Sequence, residues 1–129
     1  MTTSHVILII FAALVLYLYL KKFLISRSVK HYEPHEALTK VKGSNNVILL
    51  DVRTPAERKE QSIKESFHIP LYEIAKRSDE LLKFKDKEII CYCRSGNRSV
   101  TAAAKLKKKG FNGANLKGGI IRWNQQNSK

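Results

Sequence analysis

The chain has 129 residues, of which 24 are Lys or Arg and 11 are Asp or Glu, so its formal net charge is +13. This length allows one small domain, and an apolar fraction of 43% with 27% charged residues argues against general disorder. Two cysteines are too few for a disulfide scaffold, which excludes a small secreted protein of that kind. The positive charge suits a nucleic acid, a membrane surface or an anionic substrate, and the placement of the charges decides among them.

The N-terminal segment is a predicted transmembrane helix. Every residue from Val6 to Leu20 is apolar or aromatic, and no Lys, Arg, Asp or Glu precedes Lys21. About 20 helical residues cross the hydrocarbon core of a bilayer, and the long side chains of Lys21 and Lys22 extend the run by reaching the interface. A signal peptide would carry its basic residues before the apolar run, and a buried core helix would be amphipathic, so both alternatives fit less well.

The basic residues around the apolar run predict its orientation. Only the amino terminus is basic before the run, whereas Lys21, Lys22, Arg27 and Lys30 follow it. By the positive-inside rule, the chain is expected to be a single-pass protein of the cell (inner) membrane, with its N-terminus outside and its domain in the cytoplasm. We expect three parts in chain order: an anchor over residues 1–25 that contacts the lipid bilayer through residues 6–25, a linker over residues 26–31 and a domain over residues 32–129.

The part of the chain after the anchor is predicted to alternate helices and strands. Apolar runs predict strands, and amphipathic spacing or capping residues predict helices. The predicted strands are residues 47–52, 66–70, 88–92 and 112–116. The predicted helices begin at Pro34 and Pro55, cover Leu71–Leu82, run from Arg98 or Ser99 to Lys109, and begin at Gly118–Gly119 before Trp123. The helix at Pro55 is predicted from Thr54 as N-cap and Glu57, three residues later, as its capping-box partner. This alternation indicates an α/β fold with a mostly parallel central sheet flanked by helices, while the strand order stays open.

The segment that carries chemistry joins the third predicted strand to the next helix. An apolar strand ends at Cys93, and a polar loop that contains Gly96 leads into the helix. Ligands of open parallel sheets bind at the carboxyl ends of strands, where loop and helix N–H groups together hold an anion. Such a setting lowers the pKa of a cysteine from about 8.5, and Arg94 and Arg98 add fixed positive charge. The residues therefore predict a nucleophilic sulfur inside an anion site.

Three segments resemble the rhodanese (thiosulfate sulfurtransferase) family, in a single-domain form with an N-terminal membrane anchor. Cys93–Ser99 (CRSGNRS) is similar to the active-site loop of the family, and Val47–Glu57 (VILLDVRTPAE) to its first strand and Asp-Val-Arg turn. Leu116–Trp123 (LKGGIIRW) looks like its closing segment. The resemblance covers most of residues 31–129 and implies a rhodanese-like sandwich.

The resemblance also implies a sulfurtransferase activity. Cys93 would take sulfane sulfur from thiosulfate or a similar small anionic donor and pass it, as a persulfide, to cyanide or to a thiol of a small molecule or protein. Arg94 would orient the donor, and Arg98 would fix the loop by bonding to Asp51 or to a nearby backbone carbonyl. The substrate-binding loop would consist of Arg94, Ser95, Gly96, Asn97, Arg98 and Ser99, with Asp51 and Arg53 in supporting roles. No cofactor or metal is expected.

Two alternatives to this activity stay open. One is phosphatase or arsenate reductase activity: the related dual-specificity phosphatases use a loop one residue longer, whereas the six residues from Cys93 to Arg98 suit a sulfur-sized group. A catalytically idle rhodanese module that acts as a membrane-tethered binding or scaffold protein is the main rival. Residues 61–66 (QSIKES) replace the Gly-His-Ile that the family usually has there, which predicts a local difference near the substrate entrance. The basic run 105–109 lacks interleaved aromatic residues, so no nucleic-acid partner is expected.

Several other residues have expected structural roles. Cys91 lies inside an apolar strand and is expected in the core, with a resolving-thiol or metal role as the alternative. The histidines lack metal-ligand spacing with either cysteine, so His31, His35 and His68 are expected to have surface or capping roles. Trp123 is expected to pack in the core, and Asp51 is interpreted as a structural carboxylate rather than a catalytic acid.

Overall fold

The computed structural model describes residues 2–128. The helices are α1 (Thr3–Arg27), α2 (Pro34–Gly43), α3 (Pro55–Glu60), α4 (Ile74–Arg77), α5 (Asn97–Lys108) and α6 (Gly119–Asn127). The strands are β1 (Lys30–Tyr32), β2 (Val47–Asp51), β3 (Phe67–His68), β4 (Glu88–Tyr92) and β5 (Asn112–Leu116). Tighter 3₁₀ turns over Leu71–Glu73 and Ser78–Phe84 flank α4.

The five strands form one parallel sheet in the order β1-β5-β4-β2-β3. Parallel strands all end on one side, here called the carboxyl edge, and all begin on the other, the amino edge. Asp51 and Tyr92, the last residues of β2 and β4, are partners in register, so the loops after these strands lie side by side at the carboxyl edge. The predicted α/β fold with a parallel sheet is confirmed, and the structure gives the strand order that the sequence left open.

Apolar side chains of the central strands are buried on both faces of the sheet. Leu50 and Cys91 pack on the side covered by α4 and α5, whereas Leu49 and Ile90 pack on the side of α2 and α6, together with Trp123. These residues are at most 8% exposed. Burial on both faces explains why the central strands are continuous apolar runs without alternation, and it confirms the predicted core positions of Cys91 and Trp123.

Helix starts follow the predicted capping residues. The Thr54 hydroxyl accepts a hydrogen bond from the Glu57 N–H at 3.2 Å, and the Glu57 carboxylate accepts one from the Thr54 N–H at 3.2 Å. Pro55 occupies the first turn of α3, and Pro34 does so in α2. Both prolines lack an N–H that a first helical turn would leave unpaired, so they suit these positions.

The predicted linker over residues 26–31 is wrong. Helix α1 continues to Arg27 and β1 begins at Lys30, so only two residues separate them. Strand β1 has three residues, of which only Tyr32 is buried. A strand this short does not show the alternation of buried and exposed residues by which strands are predicted from sequence. A domain that began at residue 32 would leave most of this edge strand behind.

The continuous helix predicted over Leu71–Leu82 is also wrong. This stretch forms a 3₁₀ turn, the single turn of α4 and a second 3₁₀ turn. Ile74, Ser78 and Leu81 are buried at spacings of four and three residues, which suit both kinds of helix, so the pattern does not distinguish them. Leu82, predicted on the inner stripe, is 53% exposed.

Helix α1 has no buried residue among the 25 it contains, and only Ile25 and Ser26 are partly covered. It is long and apolar enough to cross a membrane, by length and composition, although a signal sequence meets the same criteria. The C-terminal part of α1 lies beside α5, where Lys107 Nζ donates a hydrogen bond to the Ser28 carbonyl at 2.6 Å.

Candidate active site

The loop after β4 is shaped by a glycine. Cys93 directly follows β4, and Gly96, the residue before α5, has φ +112°, which side chains rarely tolerate. A Cβ atom there would lie 3.4 Å from the Gly118 nitrogen, so the loop also packs tightly on the segment before α6. The turn directs backbone N–H groups of the loop towards the Cys93 sulfur.

The Cys93 thiol sits among these donors. The Gly96 N–H donates to Sγ at 3.0 Å, and the Ser99 hydroxyl lies 3.4 Å from Sγ. Burial alone would raise the pKa of the Cys93 thiol, but hydrogen bonds from Ser99 and from the Gly96 and Ser95 backbones outweigh burial, so the pKa is lowered. The arrangement therefore favours the thiolate, the nucleophilic form of cysteine.

Behind Ser99, a row of polar side chains extends to α1. The Ser99 hydroxyl donates to Asn115 Oδ1 at 2.6 Å, and Asn115 Nδ2 lies 3.0 Å from His31 Nδ1. His31 Nε2 lies 2.8 Å from the carbonyl of Ser26, in the last turn of α1. A hydroxyl has one hydrogen, so Ser99 serves Sγ as a donor only when it turns away from Asn115. The capping role predicted for His31 is confirmed, whereas sequence reasoning missed Asn115.

The first turn of α6 holds the backbone of the loop after β4. The Ile120 N–H donates to the Cys93 carbonyl at 2.9 Å, and the Ile121 N–H donates to the Arg94 carbonyl at 3.3 Å. A Cβ atom on Gly119 would lie only 2.4 Å from the Arg94 oxygen and 2.5 Å from the Cys93 oxygen. The glycine therefore permits the close approach that holds the backbone of the catalytic-loop candidate.

The loop after β2 contains a buried ion network. Asp51 Oδ1 accepts from the N–H and Nε of Arg53 at 2.9 and 3.0 Å, and Oδ2 accepts from Arg53 Nη2 at 2.8 Å. Arg58 Nη1 approaches Oδ2 at 3.4 Å, and Arg53 also donates to the Gln61 carbonyl at 2.6 Å. Asp51 is 0% and Arg53 3% exposed. This placement agrees with a structural role for Asp51.

Arg98 bonds to Glu57 and not to Asp51, so the expected partner of Arg98 is wrong. Its guanidinium donates to both carboxylate oxygens of Glu57, at 2.7 and 2.8 Å. Asp51 is occupied by the arginines of its own loop, which leaves Glu57, in the first turn of α3, as the carboxylate in reach. The hydrogen bonds from Arg98 hold the pKa of Glu57 at about 2, below its usual 4.5. The pair ties the two loops together.

Residues 61–66, which depart from the family pattern, are held by two side chains. The Tyr92 hydroxyl lies 2.8 Å from Ser66 Oγ and accepts from the Ile63 N–H at 3.1 Å. Arg58 donates to the Ser66 carbonyl at 2.7 Å. Glu65 has φ +65°, a left-handed backbone that favours glycine. Neither Tyr92 nor Arg58 is marked by the sequence as a partner of this segment, because the contacts depend on the strand order.

Two cavities flank the loop at the carboxyl edge. One, of about 190 Å³, is bordered by Arg53, Glu57 and Arg94, and the other, of about 360 Å³, by Tyr72 and Arg98. Arg94, Ser95 and Asn97 are exposed, while Cys93 is only 1% exposed beneath the loop. Among residues 2–128, no group of three His, Cys, Asp or Glu side chains is placed to hold a metal ion.

His35, His68 and Cys91 do not belong to the group of residues that hydrogen-bond to the Cys93 sulfur. His68 Nε2 bonds to the Arg53 carbonyl at 2.8 Å, and His35 is exposed on α2. Cys91 is fully buried in the apolar core, and burial raises the pKa of its thiol. The two thiols thus have opposite surroundings although they are two residues apart.

Comparison with known proteins agrees with this geometry. A sulfurtransferase of Allochromatium vinosum is 41% identical over 81 residues, which cover 62% of this chain and 74% of that protein. The uncharacterized protein YqhL of Bacillus subtilis is 34% identical over 122 residues, covering 94% of this chain and 93% of YqhL. A rhodanese-related protein of Thermoplasma volcanium superposes with a TM-score of 0.68 and 30% identity, over 75% of this chain and 92% of that one.

The family assignment rests on most of the chain. The rhodanese-like domain family matches residues 33–126, which include both loops at the carboxyl edge and the segment before α6. The domain and the relatives named for sulfur transfer support a sulfurtransferase activity in general. With this fold and these matches, the chain belongs to the rhodanese-like domain family.

Proposed function

We propose that the chain is a membrane-anchored sulfurtransferase in which Cys93 carries sulfane sulfur as a persulfide. The observation that carries the proposal is the Cys93 sulfur at the end of β4, with the Gly96 N–H donating to it at 3.0 Å inside a six-residue loop. The lowered pKa of the thiol supports a nucleophilic role. The relatives named as sulfurtransferases support the same class of reaction.

The first half-reaction loads the enzyme. The Cys93 thiolate attacks the outer sulfur of thiosulfate or a similar donor, a new S–S bond forms, and the bond to the sulfonate breaks so that sulfite leaves with its electron pair. Arg94, exposed beside the loop, orients the anionic donor by its charge. The N–H groups of the loop then stabilise the negative charge on the terminal sulfur of the persulfide.

The second half-reaction discharges the enzyme. A thiolate or cyanide attacks the outer sulfur of the persulfide, takes it as a hydropersulfide or thiocyanate, and leaves the Cys93 thiolate ready for another cycle. No net oxidation occurs, since each step exchanges one nucleophile for another on the same sulfur. A covalent enzyme intermediate of this kind gives ping-pong kinetics.

Other loop residues hold this geometry. Arg98 fixes the loop through Glu57, and Ser99 supplies a hydroxyl next to the sulfur. Asp51 and Arg53 support the neighbouring loop as a closed ion pair. Ser95, Gly96 and Asn97 contribute the backbone of the loop, which is the binding surface for a sulfur-sized group.

The anchor in this proposal is α1, which contacts the bilayer within residues 6–25, with the N-terminus outside and the domain in the cytoplasm. Its length and composition support a span, and Lys21 and Lys22 support the orientation. The alignment with YqhL leaves about eight of the 129 residues uncovered, because it covers 94% of the chain, so that relative has a counterpart to most of α1.

The test is the intact mass of the full chain, purified in detergent, before and after thiosulfate. We expect a gain of one sulfur atom that cyanide removes, its loss in Cys93→Ser, and its retention in the matched variant Cys91→Ala. A folded protein that gains no sulfur from thiosulfate or from a hydropersulfide donor would contradict the proposal. That result would favour the idle binding module, for which the 1% exposure of Cys93 is the supporting observation.

A further inference from the structure

The contacts between α1 and α5 show that the two helices run in the same direction. Leu18 and Lys22 of α1 border a cavity of about 410 Å³ together with Arg98 in the first turn of α5. Ser28, ten residues after Leu18, accepts a hydrogen bond at its carbonyl from Lys107 in the last turn of α5. Since α5 starts at the carboxyl edge of the sheet, α1 passes the carboxyl edge first and the amino edge last.

The topology of β1 leads to the same direction independently. Strand β1 is parallel to β5, so it begins at the amino edge, and it starts at Lys30, three residues after α1 ends at Arg27. The chain must therefore arrive at the amino edge through α1. The N-terminal part of α1, residues 3–17, consequently projects beyond the carboxyl edge, where Cys93 lies.

Residues 18–25 of α1 lie level with the domain, because Leu18, Lys22 and Ile25 border the cavity that Arg98 also lines. The bilayer contact expected over residues 6–25 is therefore limited to the projecting part of α1, which is short for a membrane span. Fifteen helical residues rise about 22 Å, whereas the hydrocarbon core of a bilayer is about 30 Å thick. A span that is too short is accommodated by local thinning of the bilayer and by drawing the flanking residues into the interface. No spacer therefore separates the bilayer from the carboxyl edge of the domain.

Exposed side chains around the loop have the composition of a membrane interface. Tyr72 is 71% exposed beside the Arg98 cavity, and Ile121 is 41% exposed beside the Arg94 cavity. Lys22 lies across the third cavity from Arg98. Amphipathic rings and long cationic side chains suit the headgroup layer, and cations favour anionic lipids there.

We propose that the carboxyl edge of the domain docks on the anionic headgroup surface of the bilayer, so that Cys93 exchanges sulfur with substrates at that surface. The proposal rests on the proposed anchor and adds to it which side of the domain faces the lipid. Thiosulfate then reaches the loop along the membrane surface, and the acceptor thiol belongs to a molecule at or in the membrane. Arg94 and Tyr72 lie between the Cys93 thiol and the headgroups.

The test adds one reporter tryptophan at a time to the full chain, reconstituted into vesicles of phosphatidylcholine and phosphatidylglycerol with brominated acyl chains. Tyr72→Trp reports on the carboxyl edge, and Asp86→Trp, at an exposed position just before β4, reports on the amino edge. Trp123 is the same in both variants and sets the background. We expect bromine to quench the fluorescence of the residue-72 tryptophan at least about twofold more than that of the residue-86 tryptophan.

The outcomes separate the two proposals. A chain that does not float with the vesicles would overturn the anchor itself. A chain that floats, but whose two reporter tryptophans are quenched equally or in reverse order, would overturn the docked orientation and leave the anchor intact. In vesicles of phosphatidylcholine alone, the difference between the two variants is expected to shrink, and an unchanged difference would contradict the role of anionic lipid.

Discussion

The loops after β2 and β4 lie side by side at the carboxyl edge, yet they use their polar groups in opposite ways. In the β2 loop, the Asp51 carboxylate and the Arg53 guanidinium satisfy each other, and both are almost fully buried. In the β4 loop, the N–H of Gly96 donates to Cys93 Sγ, and the Ser99 hydroxyl oxygen lies 3.4 Å from the same sulfur atom. One loop is a closed network, and the other offers donors to a group that changes charge.

This difference separates support from chemistry. A network whose charges cancel internally stabilises one conformation and has nothing left for a ligand. Donors collected around one ionisable sulfur stabilise a charge that appears and moves during a reaction. The Glu57–Arg98 pair is the link through which the first loop positions the second. Three substitutions test this division, one in the β2 network, one in the packing of the β4 loop and one in the Glu57–Arg98 pair. They are given from the largest expected loss of stability to the smallest.

Asp51→Asn is expected to have the largest effect, because it leaves the buried Arg53 charge without its partner. Breaking a buried ion pair by removing one member costs about 3–5 kcal/mol of folding free energy. The measurement is thermal unfolding in detergent, followed by circular dichroism. Asp79→Asn, at an exposed site, is the control. Equal melting temperatures for the two variants would show that the β2 network is not structural.

Gly119→Ala is expected to disturb the β4 loop. The added methyl group would lie 2.4 Å from the Arg94 carbonyl at a residue with φ +62°, and backbone strain of this kind costs about 1–3 kcal/mol. The rate of persulfide formation is expected to fall with it, since the Cys93 carbonyl shifts too. Gly43→Ala, where a methyl group meets nothing within 4 Å, is the matched control. A fully active Gly119→Ala protein would contradict the role given to this close approach.

Glu57→Gln is expected to have the smallest effect, about 1 kcal/mol, because the pair with Arg98 is partly exposed and screened by solvent. The pKa of Glu57 is about 2 when folded and 4.5 when free, so the ionised carboxylate stabilises the fold above pH 4.5. This stabilisation is lost as the pH falls from 4.5 towards 2.

Urea unfolding at pH 6 and pH 3 measures the pH-dependent part. The stability difference between the parent protein and Glu57→Gln is expected at pH 6 and reduced at pH 3. Glu80→Gln removes a more exposed partner, 55% exposed against 27% for Glu57, and is expected to change less. If Glu80→Gln changes stability as much as Glu57→Gln, the link between the loops has no special weight.

Local signals in the sequence predicted the parts of the fold that depend on neighbouring residues. Strands β4 and β5 begin and end at the predicted residues. In β4 the reason is an apolar run that polar residues bound on both sides. The capping box of Thr54 and Glu57 was predicted from its spacing alone. The loop after Cys93 was recognised from its motif, since all its residues are consecutive.

Contacts between distant parts of the chain were not predictable in the same way. The second role of Glu57, as the partner of Arg98, requires β2 and β4 to be adjacent, and the sequence contains no sign of strand order. Likewise, Tyr92 holds Ser66 only because β4 and β3 are both neighbours of β2 in the sheet, and Ser66 directly precedes β3. The helix predicted over residues 71–82 failed because α and 3₁₀ turns bury residues at nearly the same spacing.

The position of β1 has a practical consequence for any shortened form of the protein. The family match begins at residue 33, one residue after β1 ends, although β1 covers one side of β5 over three paired residues. A fragment that starts at residue 33 would expose the backbone of β5 from Ala114 to Leu116 as a new sheet edge, which invites self-association through strand pairing. Fragments intended for solution work should retain Val29 and the strand that follows it.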